Sequence, residues 1–290
     1  MFITRGINEK LVMLAYGVLC CAALSGPARA QDANAPAVCR PGQTVEIAVE
    51  SADVHLEIRL ADGRKLLLRG IEPPRGTPSI ARLAEEARAY LNGLIAGRKL
   101  QAEIESEARD RWGRYPATII DAGGRAIAEL LLGNGWARVD AGSAGAGCLA
   151  ALLQREAEAR AGKQGIWADP AYAVLKSGDR DALAQRAGEI VLVEGQVTSV
   201  GQWRTLTFLN LGKDRRADPA VVLSRRLVAA LEKEGRSASG LTGATIRVRG
   251  QLQMRTSPRI EIFSPGALEV LSAVAKSAEP RPGTARRRAN

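Results

Sequence analysis

Leu60-Ala-Asp-Gly-Arg-Lys-Leu-Leu-Leu-Arg-Gly-Ile-Glu-Pro-Pro-Arg75 decides how this chain is read. Asp-Gly at positions 62 and 63 is a two-residue hairpin signal. Residues 55–60 alternate apolar and polar before it, and residues 65–69 form a short apolar strand after it. The second strand runs into Gly70, an acidic residue, two prolines and Arg75. A rigid loop at a strand end is a common place for reacting groups. Glu72 and Arg75 are therefore the first candidates for chemistry.

Further strands are expected at residues 45–49, 99–104 and 114–120. Between them Ser79 is placed to cap a helix whose apolar positions Ile80, Leu83, Ala87, Leu91 and Ile95 recur at helical spacing. Gly97 stops it. Two more helices are expected at 126–133 and 149–161. Three strands, a helix and two strands suit a five-stranded barrel of the oligonucleotide-binding (OB) type. After a weakly patterned stretch, residues 189–200, 205–211 and 220–223, a helix from Ser224, and residues 244–255 and 259–263 repeat that order. The fold class expected is mainly β with helices: an OB-type β-barrel plus a second small OB-like β-barrel domain. A β-sandwich fragment is the alternative for the second unit.

The ends are not part of this fold. Arg5 and Lys10 precede an apolar run, residues 11–24, and then Gly26-Pro-Ala-Arg-Ala30. That reads as a signal peptide over 1–30, an exported chain, periplasmic or secreted, and no stable membrane insertion after cleavage. A membrane anchor is the alternative, although spanning a bilayer takes about 20 apolar residues. Residues 31–41 follow as an N-terminal segment, 42–172 as the first domain, 173–187 as a linker, 188–272 as the second domain and 273–290 as a disordered basic tail. The formal charge is +10, but leader and tail hold more than half of it, so the body is only mildly basic. Aromatics are 4% of the chain, so the core must be aliphatic. With the leader removed, Cys39 and Cys148 remain. In an oxidising compartment they read as one disulfide, with two free thiols as the alternative. The single histidine, His55, leaves no zinc pattern and no Ser/His or Cys/His nucleophile. No glycine-rich loop opens a helix after a strand, so no organic cofactor is expected.

Four pieces resemble the staphylococcal-nuclease-like (thermonuclease) family: the opening stretch, Asp110-Arg-Trp-Gly-Arg114, Ala128-Glu-Leu-Leu-Leu-Gly-Asn-Gly-Trp-Ala-Arg-Val139, and Leu152-Leu-Gln-Arg-Glu-Ala-Glu-Ala-Arg-Ala-Gly-Lys-Gln-Gly-Ile-Trp167. They stand in order over roughly residues 42–172. The resemblance implies calcium-dependent phosphodiester hydrolysis in DNA or RNA. It sets the first metal ligand at Leu56, the first phosphate arginine at Leu67, an acidic ligand at Glu72, a backbone carbonyl ligand at Pro73, the water-activating carboxylate at Arg75 and the second phosphate arginine at Arg114. Only Arg114 matches outright. A guanidinium at Arg75 cannot act as a base, because its pKa lies above about 12.

The catalytic candidates are thus Arg114 and Glu72. The metal candidates are Glu72, with Asp53 and Glu57 close in sequence, and calcium is expected only where nuclease activity survives. The nucleic-acid candidates are Arg114, Arg75, Trp112, Arg247 and Arg249. Arg114 bracing the barrel through Glu72 or Asp110, and Arg247 and Arg249 on a solvated sheet face, are the structural alternatives. Three functions stay open: a thermonuclease-like protein that binds single-stranded nucleic acid or another anionic polymer with impaired catalysis, an active calcium-dependent phosphodiesterase with a rearranged metal site, and an envelope scaffold without a nucleic-acid ligand.

Overall fold

The Asp62-Gly63 turn forms where the sequence sets it. In the computed structural model, which describes residues 39, 41–75, 78–105, 109–145 and 147–272, Gly63 adopts φ +85° and its N–H bonds the Leu60 carbonyl at 3.0 Å. A positive φ at this corner suits glycine. The turn joins β2 (Glu57–Leu60) to β3 (Lys65–Leu68), preceded by β1 (Val45–Ala52). β4 (Ile71–Glu72), α1 (Pro78–Ile95), β5 (Lys99–Ile104) and β6 (Arg114–Ile120) follow. Strands β1-β2-β3-β6-β5 close into a barrel, with β5 returning to β1 and β6 running parallel to β3. Alternate residues fill the barrel: Ile47 and Val49, Ile58 and Leu60, Leu66 and Leu68 are all buried. This is the period-two pattern of strands with one wet face. Helix α1 buries Leu83, Ala87, Leu91 and Ile95, one turn apart, as its sequence stripe requires.

Beyond the barrel come α2 (Ile127–Gly133), β7 (Arg138–Val139) and α3 (Leu149–Ala161), with β7 pairing β4 as a separate two-stranded sheet. Cys39 and Cys148 form a disulfide, both residues buried. The expected linker, residues 173–187, contains β8 (Leu175–Lys176) and α4 (Arg180–Gln185). Asp179 caps α4 by accepting the Ala182 N–H at 3.0 Å. The remaining elements are β9 (Ile190–Gln196), β10 (Ser199–Trp203), β11 (Leu206–Asn210), β12 (Ala220–Ser224), α5 (Arg225–Lys233), β13 (Thr245–Met254), β14 (Pro258–Glu261) and β15 (Leu268–Ser272).

The second OB-like barrel expected over residues 188–272 does not form. These strands make an open eight-stranded sheet in the order β10-β11-β12-β14-β13-β9-β8, with β15 also on β13. The expected long first strand breaks in two at Val197 and Thr198, whose N–H groups bond Ala244 and Asn210 carbonyls respectively. β9 stays on β13 while β10 pairs only with β11 and forms an edge. β15 takes the N-terminal half of β13, beside β14 on the C-terminal half. The sheet is not a free-standing layer. One buried cluster includes Leu131 and Leu152 from the helices together with Val193 and Val248 from the sheet. Among the described residues, no helix is long and apolar enough to cross a membrane. The expected signal peptide and tail, and the Ser79 side chain, lie outside the described residues.

The disulfide closes a loop of 109 residues, and such a closure is worth about 2–4 kcal/mol. Cys148→Ser, or reduction of the native protein, should lower unfolding stability by that amount in urea titration. An unchanged midpoint would mean that the link contributes nothing.

Candidate functional site

The rim where β3 turns into β4 gathers most of the sequence-predicted residues. Gly70 makes that turn at φ +79°, and a Cβ on it would stand 2.3 Å from Leu152 Cδ1. Helix α3 can pack this close only on bare backbone. The turn sets Glu72 opposite Arg138 of β7. Arg138 Nη2 donates to Glu72 Oε2 at 3.0 Å, with both side chains mostly shielded from solvent. The other arm of the fork, Nη1, donates to the Ile190 carbonyl of β9 at 2.8 Å. The same guanidinium lies 5.2 Å from the Tyr172 ring centre. The Tyr172 hydroxyl in turn accepts the Arg75 N–H at 3.2 Å. Arg75 itself is exposed, and its guanidinium makes no ion pair among the described residues.

Arg114 opens β6 and is gripped from two sides. Asp110 accepts the Trp112 and Arg114 N–H groups, each at 2.9 Å, on one oxygen and Arg114 Nε at 2.8 Å on the other. Glu57 of β2 bonds Arg114 Nη1. Desolvation works against charge on Asp110, but the hydrogen bonds from Arg114 and Trp112 outweigh it and hold the carboxyl below the usual range. Burial likewise opposes the Arg114 charge, and the bonds to Asp110 and Glu57 still raise its pKa. Trp112, 61% exposed, has the guanidinium groups of Arg111 and Arg114 over its ring, 4.0 and 4.7 Å from the ring centre. Asp53 is committed as well. One of its oxygens accepts the N–H groups of His55 and Glu57 and closes the turn before β2. That turn holds Leu56 at φ +57° with its side chain buried in the core.

These groups do not fit a calcium ion, which needs several oxygen ligands converging on one point. Glu72 is tied to Arg138, Glu57 to Arg114 and Asp53 to its own turn, while Leu56 offers no side-chain oxygen. Among the described residues, no group of three His, Cys, Asp or Glu side chains is placed to hold a metal.

Arg247 and Arg249 of β13 face the rest of the protein instead of a polymer. Arg249 is buried and forks onto Glu156 of α3, Nη1 to Oε1 at 3.0 Å and Nη2 to Oε2 at 2.8 Å. It also reaches the Val139 carbonyl and Glu269. Glu156 completes its set with the Val139 N–H at 2.7 Å and Arg160 Nη1 at 3.3 Å. Arg247 bridges Glu194 and Glu269. A chain of charges thus runs from Lys176 through the sheet to α3. Burial alone would push Glu156 up, but the charge and hydrogen bonds of Arg249 dominate and keep it ionised below its ordinary pKa.

Residues 65–169 match the family model described as staphylococcal nuclease homologue. The chain therefore carries a staphylococcal-nuclease-type domain over those residues, and the open sheet lies outside the match. No curated protein matches the chain.

Sequence reasoning did not find Glu156, Arg138 or Tyr172. Glu156 had a signal: it lies between Leu152 and Ala159 on the buried stripe of α3, where an unpaired glutamate would be costly. Arg138 had none, because its partner Glu72 is 66 residues away.

Removing one partner of a buried ion pair strands the other, at a cost of about 3–5 kcal/mol. Glu156→Gln and Arg249→Met should each lose stability on that scale in urea unfolding followed by tryptophan fluorescence. Glu156 titrates lower folded than unfolded. Its contribution is therefore complete above the ordinary glutamate pKa of roughly 4.3 and fades as pH falls through the folded value. Glu156→Gln should flatten that acid limb, and an unchanged limb would exclude Glu156 as its source.

Proposed function

We propose that the staphylococcal-nuclease-type domain of this exported chain grips single-stranded nucleic acid, or a similar anionic polymer, without cutting it. The observation that carries this reading is the pairing of the rim carboxylates with arginine: Glu72 with Arg138, Glu57 and Asp110 with Arg114. Carboxylates held in this way are poor metal ligands, and Arg75 stands where the family resemblance sets the base. The Cys39–Cys148 disulfide supports an oxidising compartment.

What remains is suited to grip. Arg59 and Lys65 are cross-strand neighbours on β2 and β3, so their side chains emerge on one face of the barrel, beside the ion-paired Arg114 of β6. Arg59 and Lys65 are exposed and have no ion-pair partner among the described residues. Exposed Trp112 and Arg111 stand at the turn that opens β6. A row of cations beside an exposed indole is the arrangement on which a single strand is held, phosphates on the charges and a base on the ring. The open sheet braces this domain and supplies no free arginine from Ile246-Arg-Val-Arg249.

Binding of a labelled oligothymidylate should weaken as salt rises, since each phosphate contact releases counterions. Lys65→Ala should reduce the slope of log affinity against log salt by about 0.7. Trp112→Ala should cost about 1–3 kcal/mol at every salt concentration. Affinity indifferent to both changes would place the polymer elsewhere or leave a scaffold without this ligand.

A further inference from the structure

Between the barrel rim and the open sheet lies a cleft of about 450 Å³. That is within the ~300–1,000 Å³ range of small-molecule sites. Most of its wall is apolar: Leu67, Ile71, Pro73 and Val139 on the barrel side, Ile190 and Phe263 on the sheet side. Phe263 is 78% exposed and Ile190 45%, so two large apolar side chains meet water at one cleft. Side chains of this size left exposed together mark a surface that something covers.

The polar groups on the wall divide by sign. Its acids are spent: Glu72 is paired with Arg138, and Asp140 accepts the Gly142 N–H and the Ser143 hydroxyl. Arg114 is likewise committed to Asp110 and Glu57. The uncommitted groups can all donate. Arg249 is 7% exposed, yet its Nε has no hydrogen-bond partner, and neither has the buried Ser264 Oγ. Buried donors without partners are rare in native structures. Arg75, exposed and also on the wall of the cleft, is the one cation there without an ion pair among the described residues; Asp140 is held only by neutral donors.

An apolar wall with one free cation favours an amphiphilic anion as occupant. We propose that this cleft binds a small organic monoanion, an apolar carboxylate whose chain or ring lies against Ile190 and Phe263 and whose carboxylate meets Arg75. A dianion is disfavoured because only one cation is free. Arg114 of β6 borders both this cleft and the face that carries Arg59 and Lys65, but Arg75, Ile190 and Phe263 line the cleft only, so the two readings are tested by different variants.

Decanoate is a suitable probe, with decyltrimethylammonium as a control of the same chain length and opposite charge. Calorimetric titration of the intact protein should give saturable one-to-one binding of decanoate and binding of the cation at least about tenfold weaker. Arg75→Gln should weaken decanoate at least about tenfold, the loss expected for one charge-assisted hydrogen bond. Phe263→Ser should weaken it as well. Both altered side chains are exposed, so both variants should keep the native melting temperature. Arg249 is unsuitable for this test because it holds Glu156. Equal binding of the two probes, an affinity unmoved by Arg75→Gln, or no saturable binding would overturn the proposal.

Discussion

The fork of Arg249 on Glu156 is the contact on which the rest of this structure depends. It joins β13 of the open sheet to α3 of the barrel domain through two parallel hydrogen bonds. Two buried charges of this kind are costly to dehydrate, and the cost is offset when the remaining hydrogen-bonding sites are met, as they are on Arg249 except at Nε. Glu156 meets that condition: each oxygen accepts from Arg249 and from one further donor, the Val139 N–H or Arg160. Directional bonds of this sort fix register where apolar packing alone would allow sliding. With β13 set against α3 and β7, Gly250 and Gln251 come to the rim that carries Glu72 and Arg75, and the shared cleft is defined.

The same economy of charge runs through the barrel. Its rim carboxylates have found guanidinium partners, and the partners come from different elements: Arg138 from β7 for Glu72, Arg114 from β6 for Glu57 and Asp110. Leu56 completes the change, since its side chain enters the core where the resemblance sets a ligand. Arg138 shows how barrel and sheet share one part: one arm holds Glu72 and the other holds the Ile190 carbonyl. A carboxylate recruited for a cation at this rim would first have to leave its arginine.

The barrel was legible because each of its signals is local. Asp62-Gly63 specifies a hairpin, the alternation in β1 to β3 specifies which face is buried, and the stripe of α1 specifies what covers it. The Cys39–Cys148 pairing followed from there being two cysteines beyond the expected leader. Most strands of the open sheet were legible but their arrangement was not, because the bend at Val197 and Thr198 carries no glycine or proline, and β15 is too short to stand out from the loop before it. Arg247 and Arg249 read as a solvated or phosphate-facing strand face, since alternation reports that two residues share a face and not what packs on it. The roles of Glu72 and Glu57 depended on arginines far away in sequence, which no local pattern reports. Arg114 was the exception: bracing by Asp110 was visible four residues away, and the structure adds Glu57 to it.

The most direct test incubates the protein with end-labelled single-stranded DNA in calcium and, in parallel, in EDTA. Pairing of the rim carboxylates with arginine predicts an intact strand in both, retained by the protein at low salt. Cleavage that requires calcium and disappears in Arg114→Ala would contradict it, because Glu72, Glu57 or Asp110 would then have to release an arginine and hold the metal.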